Sequence, residues 1–248
     1  MQVACSVSPA AGPPGGGVPE TWDLWLDGAR APALNMALDE ALARESGVRG
    51  RGILRLYGWD RPAVSIGCHQ EYAAGVREGW ALVRRPTGGG VVLHDADLTY
   101  TVVVPAGHWL TGVDREASYG FVNRAVAAAL ARGEVAATLA EQSIPASVNR
   151  RTMVCFSHPT RYDIVAGGRK VAGAAQRRTA DGILHQGSLR LEAFRGLPRE
   201  AVETRIVEGF VEVLGLRFER FEPGAGLLAL ANELAIGKYG NDDWNRKY

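Results

Sequence analysis

The sequence predicts a mixed α/β (α+β) fold, a largely antiparallel sheet flanked by helices. Three observations carry that expectation. From Thr21 onward, short strand-like runs alternate with amphipathic helical ones; "RYDIVAGG" and "RKVAGAAQRR" pair as a hairpin about Gly167 and Gly168; and hairpins outnumber strand-helix-strand units, which disfavours an all-parallel sheet. At 248 residues and 46% hydrophobic content the chain can bury a sizeable core. With no internal repeat and no linker, residues 21–248 read as a single domain.

Taken in order, "TWDLWLDG" is the first strand. In "PALNMALDEALARES", Leu34, Leu38, Ala41 and Leu42 recur at helical spacing and Glu45 closes the apolar face. "ILRLYGW", "AVSIG" and "ALVRR" are compact strands separated by turn residues. "GGGVVLHDADLTYTVVVP" reads as a glycine loop feeding a strand, a turn from Asp95 to Asp97, and a second strand stopped by Pro105. "DREASYGFVNRAVAAALARG" is a helix with Phe121, Val122, Ala125, Val126, Ala129 and Leu130 on one face and Gly133 as its stop. After the Gly167–Gly168 hairpin, "GILHQGSLRLE" adds a further strand beyond the "TADG" turn. "REAVETRIVEGFVEVLG" and "AGLLALANELAIGKYG" are each read as one helix.

Charge and cysteine usage narrow the function classes. The net charge is +1, from 28 basic and 27 acidic side chains, so no global field favours nucleic acid or an anionic membrane, and neither partner is expected. An anionic partner would have to meet a local patch. The cysteines, Cys5, Cys68 and Cys155, are odd in number and lack metal-knuckle spacing, which points to a reducing, cytoplasmic setting. Residues 1–20 lack the charged start and apolar run of a signal peptide and read as a disordered tail, leaving Cys5 without chemistry. No apolar run approaches the ~18 residues that a membrane helix needs.

Two stretches carry candidate chemistry. In "RRPTGGGVVLHD", Gly88, Gly89 and Gly90 remove every Cβ from a loop, so its backbone can approach a ligand and turn N–H groups on carboxylate or phosphate oxygens. The loop is neither a Walker motif nor a full dinucleotide fingerprint, and a bulge or hairpin bend would use the same glycines. His94 reads as a hydrogen-bonded structural residue or as pocket lining. In "VCFSHPTRYDIVAGGRKVAGAAQRR", Cys155 falls in an irregular polar segment where a nucleophile can be approached, whereas Cys68 suits a small buried hydrophobe. A free thiol is only a few per cent thiolate at neutral pH, and a nearby ammonium shifts that balance. Lys170 is the candidate ammonium, against its reading as a solvated lysine beside a turn. Zinc at Cys155 and His158 lacks further ligands, no metal is assigned, and a dyad of Cys155 with His158 or His185 stays open.

Together, "NMALDEAL", "RRPTGGGVVLHD", "GRKVAGAAQRR", "ILHQGSL" and "KYGNDDWN" resemble, in order, the catalytic domain of the lipoate–protein ligase A and biotin–protein ligase family. The resemblance implies an apolar tunnel for a lipoyl or octanoyl chain walled by Arg85, Thr87, Gly88, Gly89, Gly90, Val91, His94, Gly173 and Ala174. The "CF..P..Y" pattern of "VCFSHPTRYDIV" is similar to the family's cysteine-dependent octanoyltransferases, which puts Cys155 on their acyl-thioester nucleophile and Lys170 on its activating lysine. Here "YDI" stands where that branch often has Tyr-Glu, and His185 then Gln186 reverse its usual order, which in a strand moves the imidazole to the opposite face.

That resemblance implies octanoyl transfer from octanoyl–acyl carrier protein to a lysine of a lipoyl domain, such as glycine-cleavage H protein, with no cofactor. Both proteins are typically acidic, so Arg84, Arg85, Arg177 and Arg178 are expected to form a local docking patch. The alternatives are an ATP-dependent lipoate ligase with an incidental cysteine, an amidotransferase moving octanoyl groups between lipoyl proteins, and a non-enzymatic acyl-binding module.

Overall fold

A computed structural model describes residues 19–145 and 147–248; the expected tail, apart from its last two positions, lies outside them. The chain runs through β1 (Glu20–Arg30), α1 (Pro32–Arg44), the single turn α2 (Ser46–Arg49), β2 (Ile53–Trp59), β3 (Ala63–Ile66), β4 (Ala81–Arg84), β5 (Val92–His94) and β6 (Asp97–Pro105). It continues through the short α3 (Trp109–Gly112), α4 (Arg115–Arg132), β7 (Ala137–Leu139), β8 (Ile164–Ala166), β9 (Arg169–Thr179) and β10 (Gly182–Arg190). The last elements are α5 (Arg199–Leu214), β11 (Leu216–Arg220), α6 (Ala225–Leu234) and the short α7 (Asp242–Asn245).

Local chemistry sets most of these boundaries. Asp114 caps α4 by accepting from the Ala117 amide at 2.7 Å, and Gly133 ends the helix. The β8–β9 turn needs two residues at positive φ, which Gly167 (56°) and Gly168 (75°) supply without strain. That turn starts β9 at the position that puts Lys170 inside.

The main sheet has the order β11-β1-β2-β6-β10-β9-β8-β7. Only the β11-β1-β2 pairings are parallel, and the rest are antiparallel. Strand periodicity divides its side chains between two cores. Leu54, Leu56, Tyr100 and Val102 pack towards α4 and α5 with Val126, Ile206 and Phe210. Ile53, Tyr57 and Val103 pack on the other face with Met36, Leu42 and Leu227 from α1 and α6. A second sheet, β4-β3-β5, carries the glycine-loop segment. The mixed, mostly antiparallel architecture matches the sequence expectation.

Two details differ from that expectation. The edge strands β7 and β11 went unseen because they are short and largely exposed, with only Leu216 buried in "LRFER". The segment "AGLLALANELAIGKYG" is not one helix: α6 gives way at Leu234 to a π-helical turn, Ala235–Tyr239, in which Gly240 N–H bonds Ala235 O at 2.7 Å. That turn brings Lys238 and Tyr239 onto Glu40 of α1. No helix among the described residues is long and apolar enough to cross a membrane.

The contact of α5 with α4 gives a test of the packing. A Cβ on Gly209 of α5 would lie 2.2 Å from the Ala125 carbonyl of α4. Gly209→Ala is therefore expected to cost about 1–3 kcal/mol in urea unfolding. Gly226→Ala, on α6 with no atom within 4 Å of the new methyl, is expected to gain up to about 1 kcal/mol.

Candidate active site

Cys155 is held by backbone rather than by its side chain. Val91 N–H donates to Met153 O and Cys155 N–H to Val91 O, both at 2.8 Å, so the cysteine segment is stitched to the end of the glycine loop. Gly90 makes this contact possible, since a Cβ there would stand 2.8 Å from Cys155 N. The close approach that the glycines allow is thus, in part, an approach by the chain itself. Cys155 opens a short 3-10 turn and is buried.

Lys170 points inward from the second position of β9 and folds back over Gly173, where a Cβ would meet its Cε at 2.4 Å. Its ammonium lies 3.3 Å from Cys155 Sγ and 2.6 Å from Asp163 Oδ2. Asp163 also accepts from Thr160 N–H and Oγ1, each at 2.7 Å. Burial works against the charge on Lys170, but Cys155 and Asp163 outweigh it and hold its pKa above the ordinary lysine value. Tyr162, next to Asp163, sits at φ 69°, an uncommon conformation for a bulky residue, pinned by Tyr162 N–H to Ala140 O at 2.7 Å and by Asn123 Nδ2 to Tyr162 O at 2.8 Å.

Arg85 braces the glycine loop. It is buried, with Nη1 donating to Ser65 O and Oγ at 2.8 and 2.7 Å and Nη2 donating to Gly88 O and Gly90 O at 2.9 and 2.8 Å. Burial pulls its pKa down, and the neighbouring Cys155 acts in the opposite sense. With the loop carbonyls turned to Arg85, the amides of Gly88, Gly89 and Gly90 donate to no protein acceptor among the described residues. Thr87 Oγ1 donates to Gln186 Oε1 at 2.7 Å, and Gln186 Nε2 to Asp39 Oδ2 at 2.6 Å. Asp39 further accepts from Arg55, Tyr57 and Thr101, which ties the loop to α1 and the sheet.

Between these parts lies a largely apolar cavity of ≈ 380 Å³, counting its open mouth. Cys155, Arg85, Gly89, His94, Gly173 and Ala174 line it, together with Met36, Tyr57 and Trp59. His94 is stacked on Trp59, with ring centroids 3.9 Å apart. Its Nδ1 lies 2.8 Å from Asp97 Oδ2 and its Nε2 2.7 Å from Ser65 Oγ. Of the other sequence candidates, Thr87 supports the loop from behind, Val91 bridges to the cysteine segment, and Gly88 faces a separate cleft. Among the described residues, no three His, Cys, Asp or Glu side chains gather as metal ligands.

The expected four-arginine patch is corrected by burial. Arg84 is fully buried and donates to the carbonyls of Gly67, Gln70, Trp244 and Asn245, while Arg85 is committed to the loop. Only Arg177 and Arg178 of that set face the surface cleft. Sequence reasoning missed Asp163, Gln186, Ser65 and Trp59. Asp163 carried a usable signal, an acid beside the first apolar residue of a strand facing a lysine strand; the others become visible only once β2, β3 and β10 are registered.

Residues 31–198 match the family model of the lipoyl protein ligase A/B catalytic domain. A protein named octanoyltransferase LipM from Moorella thermoacetica is 35% identical over 221 residues, covering 81% of each chain. The protein of that name from Bacillus subtilis is 31% identical over 274 residues, covering 92% of this chain and 99% of its own. Among solved structures, lipoate-protein ligase A bound with ATP superposes with a TM-score of 0.77 at 24% identity, covering 91% of this chain and 98% of the other. The bipartite lipoate protein ligase of Thermoplasma acidophilum gives 0.73 at 23%, covering 92% and 96%. At those identities the superpositions speak to the fold.

The β10 alternation predicts an acid-sensitive position. Gln186 faces the pocket, whereas His185 lies on the opposite face, fully buried between Tyr100 and Tyr119, with neither ring nitrogen hydrogen-bonded to any of the described residues. Burial drives its pKa from 6.5 down to about 3. The unfolded chain therefore takes up this proton first, so stability is full above pH ~6.5 and falls on acidification by up to about 1.4 kcal/mol per pH unit until pH nears the folded value. Urea titrations from pH 7 to 4.5 are expected to show a shallower loss for His185→Met than for wild type.

Proposed function

The chain belongs to the lipoyl protein ligase A/B catalytic-domain family, and on that premise we propose that it is an octanoyltransferase acting in protein lipoylation through a covalent Cys155 thioester. The observation that carries the covalent route is the Lys170 ammonium 3.3 Å from Cys155 Sγ in the wall of an apolar cavity. The LipM-named relatives, at 31–35% identity, support the reaction class. The donor in this reading is octanoyl–acyl carrier protein, and the acceptor is a lysine of a lipoyl domain, such as glycine-cleavage H protein. A reducing cytoplasm, in which Cys155 stays a free thiol, is the setting.

The charge balance of the buried site favours this chemistry. Lys170 and Arg85 are buried cations, and Asp163 is the buried carboxylate beside them. A Cys155 thiolate supplies the second negative charge and leaves the cluster neutral in a low-dielectric interior. In the first half-reaction the thiolate attacks the carbonyl carbon of the octanoyl thioester, the carbon–sulfur bond to the donor breaks, and the donor leaves as a thiolate that takes a proton from solvent. The amide of Gly89, which lines the cavity with Cys155 and has no protein acceptor among the described residues, suits the developing oxyanion. In the second half-reaction the acceptor lysine amine attacks the Cys155 thioester, forms the amide and releases the Cys155 thiolate, the amine's surplus proton passing to solvent.

The octyl chain is retained between the two partners by burial. Seven carbons beyond the carbonyl contribute about 5–6 kcal/mol at ~0.8 kcal/mol each, which is enough to hold the acyl group while one protein replaces another. His94 and Trp59 are wall residues in this scheme, and His185 takes no part.

Incubation with octanoyl–acyl carrier protein, without ATP or acceptor, is expected to add one octanoyl group by intact mass, labile to hydroxylamine and absent from Cys155→Ala. Lys170→Ala should slow that adduct by about 100-fold or more. No adduct, combined with ATP-dependent labelling of a lipoyl domain by free lipoate, would sink the thioester route.

A further inference from the structure

A cleft of ≈ 1020 Å³ opens next to the acyl cavity and has a different chemistry. Arg115 of α4, Arg177 and Arg178 of β9, and Lys238 and Lys247 near the C-terminus line it, and among the described residues no aspartate or glutamate does. In a chain of net charge +1 this is a strong local concentration of one sign. Arg115, Arg177 and Lys247 are exposed, and none enters an ion pair with another described residue. Lys247 lies over the Trp244 ring, 4.2 Å from its centroid.

The remaining two cations are fixed in place. Arg178 donates to Val113 O at 2.8 Å, Asp114 O at 3.1 Å and Ser118 Oγ at 2.7 Å, and Lys238 pairs with Glu40 at 2.6 Å. Carbonyl and hydroxyl oxygens orient the Arg178 guanidinium without cancelling its charge. Burial first, and then the neighbouring Arg115 charge, pull the Arg178 pKa below its ordinary value. Arg115, Arg177, Arg178 and Lys247, none of them in an ion pair with another described residue, are thus gathered around one opening, an arrangement that an anion relieves.

The cleft and the acyl cavity share two walls. On the glycine loop Gly88 faces the cleft and Gly89 the cavity; on β9 Gln176 faces the cleft and Ala175 the cavity. A ligand anchored in the cleft can therefore cross a one-residue rim to reach the cavity that holds Cys155. We propose that this cleft binds the phosphodiester of the pantetheine arm on which the acyl donor carries its thioester, through Arg115, Arg177 and Lys247. The inference rests on the reading of Cys155 as acyl acceptor and adds to it a recognition site for the donor's only charged link. Arg178 supplies a fixed positive background, whereas the charge of Lys238 is met by Glu40. The acceptor lysine has no such arm, so the site engages the donor half-reaction alone.

The test compares two small donors, octanoyl-phosphopantetheine and octanoyl-pantetheine, which differ only in the phosphate. The rate of Cys155 octanoylation, followed by intact mass, is expected to be at least about tenfold higher in kcat/KM for the phosphorylated donor, and the ratio should shrink as salt screens the cleft. In Arg177→Ala/Lys247→Ala, which changes exposed side chains only, the ratio should fall towards one. Equal rates in wild type, or an undiminished ratio in the double variant, would overturn the inference while leaving the Cys155 thioester intact. ATP-dependent activation of free octanoate that the double variant loses would assign the cleft to a nucleotide and also overturn it. An absence of any adduct from either donor and from octanoyl–acyl carrier protein would instead overturn the reading of Cys155, and this inference with it.

Discussion

The buried contact of Lys170 with Cys155 and Asp163 is the constraint around which the rest of the site is arranged. An ammonium this deep would lose its charge to desolvation if it stood alone. Asp163 compensates it at 2.6 Å, and in the proposed reaction the sulfur does so only while no acyl group is attached. In the proposed cycle the cluster therefore alternates between neutral, with the thiolate free, and one net positive charge, with the acyl-enzyme formed. The positive state is the one in which a carbonyl oxygen is next asked to become an oxyanion, so charge left uncompensated by acylation is available to the second half-reaction.

Holding that contact requires backbone to meet backbone, and this explains where the glycines fall. Gly90 admits the Cys155 segment, Gly173 admits the lysine stem, and Gly67 admits the loop itself, a Cβ there lying 2.2 Å from Gly89 O. Arg85 then takes the carbonyls of Gly88 and Gly90, which leaves their amides to a ligand. The loop is positioned from below by the chain Thr87–Gln186–Asp39–Arg55, which passes through β10 into α1 and β2. Any loosening of that network would move the glycine loop, and with it the peptide that carries Cys155.

The elements with a strong period were legible from the sequence, and the reasons for the failures are specific. α4 shows its apolar face at helical spacing, and every residue assigned to that face is buried. The Gly167–Gly168 turn could be recognised because two consecutive positive φ values need glycine. By contrast, β11 owes its place to parallel pairing with β1, a tertiary fact with no local signature in "LRFER". The four-arginine patch failed for the same kind of reason. A guanidinium reads as surface in a linear sequence, yet Arg84 is satisfied by the carbonyls of Gly67, Gln70, Trp244 and Asn245 drawn from two distant segments. Asp163 was in view as a departure from a motif, but its contact with Lys170 depends on how β8 meets β9 past a register shift.

The alternation along β10 separates two demands that a buried site places on one strand. Gln186, turned to the cavity side, can donate and accept at once, so it links Thr87 to Asp39 with no change of charge. An imidazole there would share the pocket side with the buried Asp39 carboxylate, where protonation would be coupled to that charge. On the opposite face His185 meets Tyr100 and Tyr119 instead, and burial keeps it neutral across the physiological range. Gln186 thus adds no titratable group to the cavity, where both nitrogens of His94 are already engaged by Asp97 and Ser65, and the charges nearest Cys155 are those of Lys170, Asp163 and Arg85. The proton inventory of the proposed transfer is then set by the thiol and the amine that react, with no histidine as intermediary.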